Sequence, residues 1–298
     1  MELLAPLRSY NTALVAFGAT MLGAGAGLVG TFLLLRGRAM ISDAIGHATL
    51  PGIVGAFMIG SMVWGDGHDL LLLVAGAGIA ALLGIFGVQY VAAHRRSSED
   101  VAIATILATG YGLGLVLLTV AQAMPSAGQA GLEKFLLGST AGMLREEALL
   151  ITIGAVVVTV LLLAFFKELR LLCFDPLFLE AHGWPMRRLD LILLASMLAI
   201  VIVGLKVVGL VLVVAVLVLP PAAARLCTDR LGRMVGLSTL IGGAGAFLGT
   251  WISAILPRLP TGPVIVLVLA LVFVLCLGWS TACGRPSPSE AHRAGAAS

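Results

Sequence analysis

Ala13-Leu-Val-Ala-Phe-Gly-Ala-Thr-Met-Leu-Gly-Ala-Gly-Ala-Gly-Leu-Val-Gly-Thr-Phe-Leu-Leu-Leu35 decides the fold class, because no ionisable side chain interrupts it. A run of roughly 20 apolar residues is what one helix needs to cross a hydrocarbon core about 30 Å thick. The run is longer than the ~7–15 residues of a signal-peptide core and leads directly into a second such segment, so it reads as a retained span. Working outward, eight further stretches qualify, at 41–63, 69–92, 101–123, 147–166, 189–205, 207–225, 234–256 and 262–280. The whole chain agrees with them: 60% of its residues are hydrophobic, 11% are charged, and the mean hydropathy is +1.10. Soluble domains carry about a quarter charged residues. The expected fold is therefore all-α, a polytopic membrane helix bundle of about nine transmembrane helices. Residues 1–284 form one transmembrane domain, and the Ser-, Pro-, Ala- and Gly-rich stretch 285–298 is expected to be a disordered cytoplasmic tail.

Threading nine spans with the C-terminus inside leaves Arg8, Lys134, Arg145, Lys206 and Arg258 outside. The other thirteen of the 18 Lys and Arg residues then face the cytoplasm. The positive-inside rule thus selects an external N-terminus and an internal C-terminus. If 189–225 were instead one tilted helix with a re-entrant piece, the parity would change and the bias would worsen. Cys173, Cys227, Cys276 and Cys283 form no C-x-x-C pair and read as packing residues at or near the reducing side. Of the 37 glycines, several stand four apart, such as Gly23 and Gly27, Gly110 and Gly114, and Gly245 and Gly249, a spacing that lets helix backbones approach in lipid.

The spans carry almost no ionisable residues inside, and Asp43 and His47 are the conspicuous exceptions. Four positions apart on a helix, they share one face, about 6 Å apart along its axis. Counting from Arg38 at the inner interface, His47 lies near the bilayer midplane. An aspartate at that depth costs a few kcal/mol on insertion scales, and such residues usually mark a cavity or an ion pathway. A structural alternative is that Asp43 caps the second helix while His47 bonds to a neighbouring helix. The oxygen and nitrogen donors suit Mn(II), Fe(II) or Zn(II), not Cu(I). Two donors are too few for an ion, and a two-fold dimer would supply four.

The longest internal connection, Phe166 to Leu189, contains a short helix with both ends written in. Asp175 is an N-cap, Pro176 takes the first helical position, and Gly183 with Pro185 two residues later is a stop. Leu177, Phe178 and Leu179 are expected to be exposed on the cytoplasmic side, against a partner or against lipid headgroups.

Three stretches together resemble a known family: Ser42-Asp-Ala-Ile-Gly-His-Ala-Thr-Leu-Pro-Gly52; Phe174-Asp-Pro176 through Ala181-His-Gly183; and Val208-Gly-Leu-Val-Leu212 through Leu219-Pro-Pro-Ala-Ala-Ala224. The chain is similar, up to about Trp279, to the permease subunits of bacterial metal-uptake ABC transporters, the ABC-3 type that imports manganese, zinc and iron. The resemblance implies that Asp43 and His47 coordinate the transported divalent metal ion, with no permanently bound cofactor. It implies that Asp175, Pro176, Leu177, Phe178, Leu179, Glu180 and Gly183 belong to a coupling helix seated on a cytoplasmic ATP-binding subunit. The implied partners are two such subunits, an external metal-binding protein, a second permease that is either an identical copy or a close paralogue, and the lipid of the bacterial inner membrane; no nucleic acid is expected. Gly46, where Ser is usual, and Pro221-Ala depart from the family pattern without removing a ligand. The Leu50-Pro51-Gly52 ending leans towards manganese and iron.

Two enzyme classes are excluded. The only lysines, Lys134, Lys167 and Lys206, follow Glu133, Phe166 and Leu205, so no P-loop Gly-Lys exists and ATP must be hydrolysed elsewhere. No histidine has another four residues away, as an intramembrane metalloprotease would need. A proton-coupled secondary transporter using Asp43 and His47 as a relay is the alternative.

Overall fold

The computed structural model describes residues 10–63, 69–93, 98–123, 145–256 and 259–282. Among them the chain forms eleven α-helices and no strand. They are α1 (Tyr10–Leu35), α2 (Ala39–Val63), α3 (Leu70–Ala92), α4 (Glu99–Gln122), α5 (Arg145–Ala164), α6 (Phe166–Phe174), α7 (Pro176–Ala181), α8 (Met186–Val208), α9 (Leu210–Cys227), α10 (Leu231–Ile255) and α11 (Thr261–Ala282). Seven of these, α1 to α5, α10 and α11, are long and apolar enough to cross a membrane. The protein is a polytopic all-α bundle.

Where the sequence places two spans at 189–205 and 207–225, the chain folds α8 and α9, which meet at Gly209 with φ 82°. Only glycine takes that left-handed conformation freely, so the helix breaks there and turns back. At ~1.5 Å per residue, the 23 residues of α8 and the 18 of α9 reach about 35 and 27 Å. A cavity lined by Phe166, Arg170, Asp229 and Arg230 puts the α9–α10 junction beside α6, the end of the bundle from which α8 departs.

Two groups of helices are joined. In the first, α2 packs on α3 and α4; in the second, α1 runs through the centre against α10, α5 and α9, while α11 covers α9 and α10. The glycine pairs sit at these contacts. Gly23 and Gly27 meet the backbone of α10 at Gly242 and Ser238, Gly110 and Gly114 meet α2 at Ala48, Leu50 and Pro51, and Gly245 and Gly249 meet Leu269 and Ile265 of α11. The close approach lets Ser238 Oγ donate to the Gly27 carbonyl at 2.7 Å, a hydrogen bond between α10 and α1.

The Phe166–Leu189 connection holds more helix than the sequence suggests, since α6 precedes the expected one. The expected helix is α7. Asp175 caps it, accepting from the Phe178 N–H at 3.0 Å, and Pro176 opens it. It closes at Gly183, φ 77°, where the Gly183 N–H donates to the Glu180 carbonyl and the Trp184 N–H to the Leu179 carbonyl, the paired bonds of a Schellman ending. One expectation is corrected. Leu177 is 78% exposed and Phe178 46%, but Leu179 is fully buried. A helix turns ~100° per residue, so three consecutive side chains cannot share a face. Leu179 turns inward to hold α7 on α6 and α8.

Burial pushes the Cys173 thiol up to about 11, as expected of an unreactive packing residue. Cys283, Arg8, Arg95, Arg96, Lys134, Arg258 and the tail 285–298 lie outside the described residues.

Candidate functional site

The helix that carries Asp43 and His47 is prepared by the turn before it. Gly37, at φ 72°, ends α1 with the same paired bonds: its N–H donates to the Leu34 carbonyl and the Arg38 N–H to the Leu33 carbonyl. Helix α2 then starts at Ala39, so Asp43 lies one turn inside it. This corrects the capping alternative, because the first-turn N–H groups that a cap would accept from precede Asp43.

Most of α2 is buried, including Ile41, Ser42, Ala44, Ile45, Gly46, Ala48, Thr49 and Leu50. Among the residues of α2 that are not buried, Met40, Asp43, His47, Pro51, Gly55 and Ile59 are spaced by three and four. They form one stripe along the helix. Asp43 has 43% of its side chain exposed on this stripe. Its Oδ1 lies 3.4 Å from His47 Nε2. Two donors each ~2.1 Å from a tetrahedral ion are themselves ~3.4 Å apart, so the pair has the bite of a chelate.

Tyr111 of α4 sets the imidazole orientation by an edge-on contact, with ring centroids 5.2 Å apart and planes at 83°. The other ring nitrogen, Nδ1, is buried without a hydrogen-bond partner among the described residues. Pro51, inside α2, has no N–H to give the His47 carbonyl four residues back. Beyond His47 on the same stripe, Pro51, Gly55 and Ile59 line, with Leu83 and Leu113, an apolar cavity of about 570 Å³ between α2, α3 and α4. Among the described residues no group of three or more His, Cys, Asp or Glu side chains converges. The described residues therefore offer a two-donor site whose carboxylate is partly exposed.

Asp175, Pro176, Leu177, Phe178, Leu179, Glu180 and Gly183 are assembled elsewhere, in and around α7. The arginines of the α1–α2 turn connect the two places. Arg36 donates through Nε and Nη2 to the two oxygens of Asp190, at 3.2 and 3.4 Å, and Arg38 Nη1 lies 3.4 Å from Asp190 Oδ1. The turn that leads into α2 and the segment that carries α7 thus lie at one end of the bundle. Asp190, Tyr111 and Glu99 were not singled out by the sequence, since nothing local to them signals a contact across helices.

The profile of the ABC 3 transport family matches residues 9–279. The chain belongs to that family. Among its relatives, the zinc transport system membrane protein TroC of Treponema pallidum is 40% identical over 269 residues, covering 89% of each chain. The manganese transport system membrane protein MntC of Bacillus subtilis is 34% identical over 271 residues; these cover 91% of this chain but 61% of that longer protein. The solved structure of PsaBC from Streptococcus pneumoniae in complex with Fab has a TM-score of 0.78 at 27% identity, covering 92% of this chain and 94% of that one. An inward-facing putative metal-chelate type ABC transporter shares the fold, with a TM-score of 0.69 at 17% identity. As a member of the ABC 3 transport family the chain is a transport protein of the membrane, and the match extends across α1 to α11.

Proposed function

We propose that this chain is the permease subunit of an ATP-driven importer of a divalent first-row metal ion in the bacterial inner membrane, with Asp43 and His47 as ligands to the ion in transit. The observation that carries the reading is the Asp43–His47 pair, at a separation that suits a chelate, on an open stripe of a half-buried helix. A carboxylate and an imidazole suit manganese, zinc and iron alike. The names of the manganese and zinc relatives support the class of cargo.

Nine crossings are proposed, α1 to α5 and α8 to α11, with the N-terminus outside and the α6–α7 segment in the cytoplasm. A second permease copy would bring a second Asp43–His47 stripe to face the first, completing the donor set that one chain leaves half-filled. The exposed Leu177 and Phe178 on α7 would seat against a cytoplasmic ATP-binding subunit, and an external protein would deliver the ion. Closure of the ATPases would then press on α7 and alternate access to the stripe.

The test is uptake of manganese and zinc into vesicles that hold the assembled complex, with and without ATP. Uptake is expected to require ATP. Asp43→Asn and His47→Gln should each reduce it by more than the ~10–100-fold that loss of even an outer-shell partner costs a metal site. Uptake driven by a proton gradient without the ATPase would replace this reading with the secondary-transporter one.

A further inference from the structure

Arg36 and Arg38 flank Gly37 in the α1–α2 turn, and their partners come from distant parts of the chain. Besides the fork on Asp190, Arg36 donates from Nη1 to the Leu172 carbonyl at 3.4 Å and places Nη2 3.7 Å from Met186 Sδ. Leu172 is in the last turn of α6 and Met186 is the first residue of α8, so Arg36 clasps both flanks of α7. Arg38 shares the Asp190 carboxylate and also reaches Glu99 of α4, with Nε 3.7 Å from Oε1. Asp190 keeps only 15% of its side chain exposed, so two guanidinium groups hold one carboxylate largely out of water. Such charge-assisted, forked contacts are stronger and more directional than a surface ion pair.

Arg38 immediately precedes α2, and Asp43 follows it after little more than one turn of the same helix. Displacement of the α6–α8 corner is therefore felt where the helix bearing the candidate ligands begins. Arg38 can exchange Asp190 for Glu99 without being left unpaired, because both carboxylates already lie within 4 Å of it, on different helices.

We propose that Asp190 is a positioning residue for transport: with Arg36 and Arg38 it transmits movement of the α6–α8 corner to α2, and Arg38 passes from Asp190 towards Glu99 as the corner shifts. The proposal rests on the reading of α7 as the ATPase contact and of Asp43 and His47 as ion ligands. Its own content is the linkage between them.

The experiment uses the full complex of permease, ATPase and metal-binding protein in vesicles, measuring manganese uptake and phosphate release together. Metal bound per complex without nucleotide is measured alongside. Asp190→Asn is expected to lower ions imported per ATP hydrolysed by about tenfold, in the range of typical coupling between sites, with bound metal unchanged. Asp190→Glu, which keeps the charge, should restore the ratio. A merely structural role would reduce uptake and hydrolysis in proportion, through loss of assembled complex, and that result or an unchanged ratio overturns the proposal. If Asp190→Asn does not assemble, Arg38→Gln, which spares the Arg36–Asp190 fork, decides by the same ratio. Normal uptake by the Asp43→Asn, His47→Gln control would fell the underlying reading instead, independently of the ratio.

Discussion

Helices α1 and α2 are neighbours of 26 and 25 residues, yet they solve the problem of the bilayer in opposite ways. Helix α1 carries no charge and is buried around its whole circumference from Gly25 to Leu33, while Tyr10, Ala13 and Phe17 nearer its start are exposed. Its glycines bring it against the backbones of α9 and α10, and Val29, Phe32 and Leu33 are almost wholly buried. Helix α2 buries about half of its residues but leaves a stripe open, and both of its ionisable residues stand there. Apolar helices gain nothing from hiding from lipid, so close backbone contact holds α1 in place. An ionisable pair is tolerable only where water, an ion or a second chain can reach it. The difference separates a helix that holds the bundle together from one that serves a passage.

The comparison breaks most severely at Gly30. A Cβ there would fall on the carbonyl of Leu217 in α9, and backbone cannot yield as a side chain can. Gly30→Val is expected to cost ~3 kcal/mol or more, as overpacking at a rigid contact does, and to remove folded protein from detergent extracts judged by gel filtration. A smaller effect is expected at α7. Leu177→Ser with Phe178→Ser removes exposed apolar area together with the Phe178–His182 ring contact inside α7, so the permease should still fold while its binding to the ATPase weakens by at least ~1.5 kcal/mol, roughly tenfold in Kd. Full-affinity binding in a titration of the two purified subunits would return α7 to the lipid surface. Smaller again is Ser238→Ala, which deletes the α10–α1 hydrogen bond and should cost ~0.6 kcal/mol, near the average for such bonds in a membrane bundle, read as a modest drop in the thermal midpoint. The least is Gly55→Ala, on the open stripe of α2 with nothing within 4 Å of the added carbon. Its midpoint should hold or rise slightly with the better helix former; a fall comparable to that at Gly30 would mean that the stripe is closed.

What could be read from the sequence was what is local. The α7 helix is written in Asp175, Pro176 and Gly183 because caps act over a single turn, and glycine spacing marked three seams that the fold uses. Hydropathy sets the reversal a few residues before Gly209, since it runs through the junction and only the backbone shows the break. Burial of Leu179 was hidden, because which side of a short helix faces inward depends on α6 and α8. The Arg36–Asp190 fork joins residues 154 positions apart and left no trace in the pattern of either segment. For the site, Asp43 and His47 were evident from charge and spacing, whereas their place on the open stripe depends on how α3 and α4 cover the rest of α2.

The central claim is that Asp43 and His47 hold the ion, and equilibrium dialysis of the purified permease–ATPase complex against manganese and against zinc, without nucleotide, tests it most directly. The complex should bind metal. The Asp43→Asn, His47→Gln double variant should assemble in the same yield, because Asn and Gln keep the polarity and nearly the size of the side chains they replace, and should lose that binding. A double variant that assembles and retains the full complement of bound metal would contradict the account.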